Sequence, residues 1–242
     1  MENYVLHKAD SRGNANHGWL HAKHTFSFAN YYDPTRMHFG VLRVLNDDKI
    51  AGGKGFGTHP HDNMEIITIP LSGALAHKDS MGNSSVISKG EIQVMSAGTG
   101  IHHSEFNHNP DQEVKLLQIW LFPNKRNVQP RYDQIAIQPL SKRNAFYQIL
   151  SPSEEDQGVW IHQDAWFHLG DFDKGQSASY QVKRAGNGVY AFVIRGSFEI
   201  DGIQLGERDG LGISDLREFK VTALSDDAEI LLMDVPMQLP RL

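Results

Sequence analysis

Two short stretches of the chain collect the residue types that hold transition metals. The first is Gly53-Lys54-Gly55-Phe56-Gly57-Thr58-His59-Pro60-His61-Asp62-Asn63-Met64-Glu65, and the second is Gly98-Thr99-Gly100-Ile101-His102-His103-Ser104-Glu105. Residues i and i+2 of a β-strand point to the same face. His59 and His61 can therefore aim two imidazoles at one point, and His103 and Glu105 can add an imidazole and a carboxylate. Three nitrogens and one oxygen suit a divalent first-row transition metal, and octahedral iron held this way keeps positions open for substrate or oxygen. The competing reading makes these ordinary polar loop and strand residues. Two pairs, each in a Gly-rich frame, favour the metal. A ligating imidazole usually gives its second N–H to an acceptor. Glu65 shares the parity of His59 and His61 and is the expected acceptor, whereas Asp62 and His102 alternate away. A phosphate-binding loop is the alternative for the first stretch, but no Gly-Lys-Ser/Thr is present and no helix signal follows.

The elements around these stretches read as short strands. The run Val41–Ile50 predicts a strand ending in an Asn46-Asp47-Asp48 turn. Met64–Leu71 is β-rich, with Pro70 marking an edge or bulge near its end. Leu75–Asp79, Ser84–Ser88 and Val114–Phe122 are further strands, separated by Ser72-Gly73, Ser80–Asn83 and Lys89-Gly90. Upstream, the alternation Thr25-Phe26-Ser27-Phe28 predicts a strand with one buried face. Residues 124–150 read as a connector of mixed structure. Many short strands with glycine turns indicate an all-β barrel or sandwich. His17, His21, His24 and His38 lack paired spacing and are expected to be surface or hydrogen-bonded residues.

Composition narrows the function. The 242 residues suffice for one large or two small domains with their own cores. A net charge of −6 with no Lys/Arg run gives no basic surface for direct nucleic-acid binding. The absence of cysteine excludes disulfides, iron–sulfur clusters and thiol catalysis. Met1–Lys8 shows no apolar signal core and no stretch is long and apolar enough to span a membrane, so a cytoplasmic location is expected.

The second half echoes the first. Gly53, Gly73 and Gly90 pair with Gly175, Gly196 and Gly210, and the strand ending at Pro123 pairs with the one ending at Pro236, at offsets of roughly 113 to 123 residues. In this register His59 meets Gln181, His61 meets Lys183 and Glu65 meets Asn187. No histidine follows His168, and Lys183 is a cation without an acceptor. The second unit is therefore expected to lack the metal ligands, with His162 and His168 structural.

The two His-rich frames resemble the two motifs of the cupin family. Gly53, His59, His61, Glu65 and Gly73 fill the first; Gly90, Gly98, His103 and Asn107 fill the second, with Ser96 where proline is usual. Within cupins, His59-Pro60-His61, the run Met95–Ile101 and His103-Ser104-Glu105 resemble the pirin family over most of the chain. That resemblance implies two tandem cupin-type jelly-roll barrels, a bicupin. Residues 1–140 would form an N-terminal metal-binding domain with an N-terminal arm, and residues 141–242 a C-terminal domain. It implies His59, His61, His103 and Glu105 as metal ligands, Glu65 being a neighbour that the residues alone leave open as a ligand. It implies one divalent transition metal per chain, with Fe(II) expected and Zn, Ni, Mn, Co or Cu as alternatives. The activity implied is that of a quercetin 2,3-dioxygenase, an oxidoreductase that opens a flavonol with dioxygen and releases carbon monoxide, with Glu105 doubling as the catalytic base. Phe56 is expected either in an apolar wall of the site or in the barrel core. The alternative implied by the same resemblance is a metal-bound, redox-sensing regulator that binds a protein partner.

Overall fold

The computed structural model describes residues 3–239; of the N-terminal stretch read above, Met1 and Glu2 lie outside these. Among the described residues the regular secondary structure is almost entirely β-strand, in two pairs of facing sheets. In the first pair, a seven-stranded sheet runs in the order Arg131–Ala136, Glu91–Ser96, Glu65–Ser72, Val114–Leu121, Leu42–Ile50, Leu20–His24, Gly13–Asn16. It faces a four-stranded sheet ordered Gly55–His61, Ile101–Asn107, Ala74–Asp79, Ser84–Ser88. In the second pair, Gly210–Ile213, Asn187–Arg195, Ala228–Pro236 and Trp166–Phe172 occupy the same sequence of places, opposite Ser177–Gln181, Glu218–Ala223, Phe198–Ile200 and Ile203–Leu205. The repeated strand order is the duplication read from the glycine landmarks, and the architecture is a bicupin.

The two large sheets pack on each other. One core joins Leu45, Ile67 and Ile119 of the first barrel to Phe167, Tyr190 and Leu231 of the second. These strands are covered on both faces, which explains why Glu65–Pro70 is buried at every position rather than alternating. The two barrel interiors differ. The second is filled by Phe172, Phe198 and Phe219 with aliphatic neighbours. In the first, Leu20, Ile50, Leu75 and Val114 fill only part of the space, and polar groups with a cavity take the rest.

Several local expectations are corrected. The strand before the first cluster does not turn at Asn46-Asp47-Asp48 but continues through them to Ile50, paired on both sides. Asp47 points to the inter-barrel side, where Arg12 and Arg208 approach its Oδ2 at 3.4 and 3.5 Å. Asn46 and Asp48 point into the barrel. No strand forms over Thr25–Phe28; the strand there is Leu20–His24. Thr25, Phe26 and Ser27 are all buried, and the left-handed Ala29 (φ 50°) reverses the chain. The stretch 124–150 is not a loose connector, because Arg131–Ala136 closes the edge of the first large sheet and Phe146–Ser151 joins the second. Pro70 does sit at a register shift against Lys115/Leu116. The arm splits its loyalty: Gly13–Asn16 and Leu20–His24 extend the first large sheet, while Tyr4–His7 pairs with Gly210–Ile213 of the second.

Candidate metal centre

Antiparallel pairing of Gly55–His61 with Ile101–Asn107 sets the site. His59 lies directly opposite His103, and Ile101 opposite His61. The register then slips between His103 and Glu105, a bulge of the kind that re-aims side chains beside functional sites. The three imidazole centroids lie 4.4 Å (His59–His103), 4.9 Å (His59–His61) and 4.9 Å (His61–His103) apart. A nitrogen of each lies within 4.8 Å of the others, and a Glu105 oxygen falls within the same distance of His103 and His77.

The donor set has the features of a cation site. His59 donates from Nδ1 to the carbonyl of Gly57 at 2.8 Å, which leaves its Nε2 with a free lone pair. His103 is buried, and neither of its ring nitrogens has a protein partner. Burial pushes the His103 imidazolium down to about 3, helped by repulsion from His59, His61 and His77. Burial, with His59 beside it, lowers His61 to about 4. Both rings are thus neutral at ordinary pH, the form that binds metal. Burial raises the Glu105 carboxyl to about 7, and Gln118 Nε2 donates to its Oε1 at 2.8 Å. Orphaned imidazole nitrogens beside a buried carboxylate cost free energy unless a cation meets them. The residues present fit a divalent ion.

Glu65 is not beside this site. The chain turns at Asn63, which is left-handed (φ 44°), so the strand ends at His61 and the next begins at Glu65. The parity count from His61 to Glu65 is lost across that turn. Glu65 is buried, accepts from Ser96 Oγ at 2.7 Å, and is pushed up to about 7 by burial. The acceptor for His59 is a backbone carbonyl instead. His102 is exposed, as its alternation implied. His21, His24 and His38 donate to Asn14, Asn46 and the Gly40 carbonyl.

His77 was missed by the sequence reading. It is buried opposite Glu105, its ring 5.3 Å from that of His103, with Nε2 directed at Asp79 Oδ2 at 3.2 Å and Nδ1 unpartnered. The one available signal was the alternation His77-x-Asp79 at the end of the strand Ala74–Asp79.

A cavity of about 410 Å³ opens onto the donor set, within the range of small-molecule sites. Trp19, Phe28, Phe56 and Trp120 supply its aromatic wall, and Asp48, Glu105 and Gln118 its polar points. Phe56 therefore serves the cavity, edge-on to Trp19 at 5.3 Å, while also touching the core beneath. In the second barrel Gln181 and Lys183 are exposed, and Asn187 is buried as a donor to Asp234. His168 is buried against the Tyr180 hydroxyl, 3.3 Å away.

A barrel pair with an imidazole cluster and open cavity in its first half is the architecture of the pirin-type bicupins, and comparison with known proteins agrees. The Pirin family model matches residues 5–121, and a model described as the quercetinase C-terminal cupin domain matches residues 148–235. The quercetin 2,3-dioxygenase of Escherichia coli K12 is 44% identical over 231 residues, covering 96% of this chain and 98% of that protein. A pirin-like protein of Caulobacter vibrioides is 40% identical over 226 residues, covering 93% and 96%. The crystal structure of the E. coli bacterial pirin YhhW in complex with nickel(II) superposes with a TM-score of 0.90 at 43% identity, covering 96% and 99%. This chain belongs to the pirin family.

Proposed function

We propose that this protein is a metal-dependent dioxygenase that opens a flavonol such as quercetin with dioxygen and releases carbon monoxide. The observation that carries the reading is the convergence of His59, His61 and His103, with Glu105 adjoining, at the wall of an aromatic-lined cavity. Those four residues would hold one divalent metal, with Fe(II) the expected ion and nickel the one named for the E. coli relative's structure. When bound, such an ion supplies Lewis acidity to a ligand hydroxyl and a redox-active centre for dioxygen. The chain supplies the rest. Trp19, Phe56 and Trp120 offer flat apolar surface to the ligand's rings. Glu105 takes the 3-hydroxyl proton as general base, and Gln118 holds its carboxylate in place.

The reading is tested with metal-reconstituted protein and quercetin, in air and under argon. The expected result is consumption of quercetin in air alone, with carbon monoxide evolved. No turnover across Fe, Ni, Mn, Co and Cu would sink the enzyme reading. It would leave the regulator alternative, whose mark is capture of a protein partner that depends on the metal's state.

A pH dependence follows from the same residues. Burial lowers His61 and His103 to about 4 and 3, so protonation of these two rings does not compete with metal above about pH 5. Glu105, raised to about 7, does compete: below that pH a proton must leave before the carboxylate can ligate. The Glu105 proton should contribute about a tenfold rise in metal affinity per pH unit between 5.5 and 7, measured against a competing chelator, and then no more. A slope corresponding to three protons would place His61 or His103 among the competing groups and contradict the assignment.

A further inference from the structure

We propose that Asp48 is a ligand-recognising group of the cavity, whose carboxyl forms a hydrogen bond with a hydroxyl of a flat aromatic ligand. The identity of the probe ligand rests on the dioxygenase reading; the role of Asp48 does not. Asp48 is 4% exposed, lies on Leu42–Ile50, and is held by strand pairing to Leu116 on one side and Ala22 on the other. Its neighbour Asp47 turns outward to two arginines. Asp48 turns inward and lines the cavity, and its Oδ1 is buried with no partner among the described residues.

An unpaired buried carboxyl oxygen is expensive, and a well-packed barrel would carry an aliphatic residue there, as it does at Ile50 two positions on. Asp48 is in neither grouping of candidate metal ligands, so a cation does not explain it. No Lys or Arg is among the described residues lining the cavity, and Glu105 is a second buried carboxyl there. A phenolic hydroxyl reaching this wall can hydrogen-bond the Asp48 carboxyl and offset its burial. Trp19, Phe28 and Trp120 around it fit a planar ring system.

The test is equilibrium titration of the metal-loaded wild type, Asp48→Ala and Asp48→Asn with quercetin under argon, read by quenching of tryptophan fluorescence. Metal content and thermal midpoint are measured on the same samples. Asp48→Ala should weaken binding about tenfold or more, keep its metal, and have an unchanged or raised thermal midpoint, because the carboxyl removed has no protein partner. Asp48→Asn keeps an oxygen acceptor and should bind within about threefold of wild type. Asp48→Ala binding quercetin as wild type does would overturn the proposal, as would metal loss in that variant or failure of wild type to bind quercetin. Wild type that binds quercetin but does not turn it over in air removes the dioxygenase reading and leaves Asp48 standing.

Discussion

Replacement of His103 by alanine is expected to empty the metal centre while leaving the barrels folded. His103 is the most enclosed of the three clustered imidazoles, at 2% exposure, and it alone belongs to both candidate donor groupings. Its two nitrogens have no protein partner, so the metal-free protein loses no hydrogen bond when the ring is removed. The cost to the metal-free form is a small cavity, on the order of 1–3 kcal/mol. The metal-loaded form loses far more. An ion present at about a thousand times its Kd stabilises the fold by about 4 kcal/mol, roughly 8–16 °C in thermal midpoint for a chain of this size. Wild type should show that rise on adding metal, and His103→Ala should show none and should retain less than about a tenth of an ion per chain after desalting. His102→Ala, altering the exposed neighbour, should behave as wild type in both measurements. Equal metal in His103→Ala and wild type would remove the centre assigned here.

The parts of this site that were legible in the sequence are those set by local periodicity. His59 and His61 lie on one continuous strand, so the rule of two works. Glu65 shows where it stops working. Asn63 takes a left-handed conformation, the strand breaks, and a residue of matching parity ends up bonded to Ser96 instead. Asn46-Asp47-Asp48 shows a second limit. These residues favour turns through local side-chain bonds, yet each has a tertiary use that outweighs the preference: Asn46 accepts from His24, Asp47 meets Arg12 and Arg208, and Asp48 enters the cavity. None of those partners is nearby in sequence. His77 was illegible for the same reason, since only the pairing of Ile101–Asn107 with Ala74–Asp79 brings it opposite Glu105.

The bicupin architecture was legible because it repeats, but the repeat does not carry the chemistry. Both barrels share one strand order. What separates them is occupancy of the interior: aromatic side chains fill the second, while His61, His103, Asp48 and Glu105 surround a cavity in the first. Fold and site are separable properties of the chain, which is why the tests proposed here address single side chains rather than domains.

Glu105→Gln is expected to lower turnover of quercetin about 10²–10⁴-fold at saturating metal. The substitution nearly preserves shape. Its side-chain carbonyl can still accept from Gln118 Nε2, as Glu105 Oε1 does at 2.8 Å, so the barrel wall keeps its hydrogen bond. What disappears is the negative charge and the ability to take a proton. Losing the charge weakens metal binding, and that loss can be recovered by raising the metal concentration. Losing the base cannot. The rate measured as metal is titrated to saturation therefore separates the two roles. If excess metal restores Glu105→Gln to wild-type turnover, Glu105 is a ligand and the proton goes elsewhere. If the deficit persists once the variant is fully loaded, the carboxylate takes part in the chemistry. The metal affinity of the variant should also rise less steeply between pH 5.5 and 7 than that of wild type, because the carboxyl raised to about 7 has been replaced by a group that does not titrate.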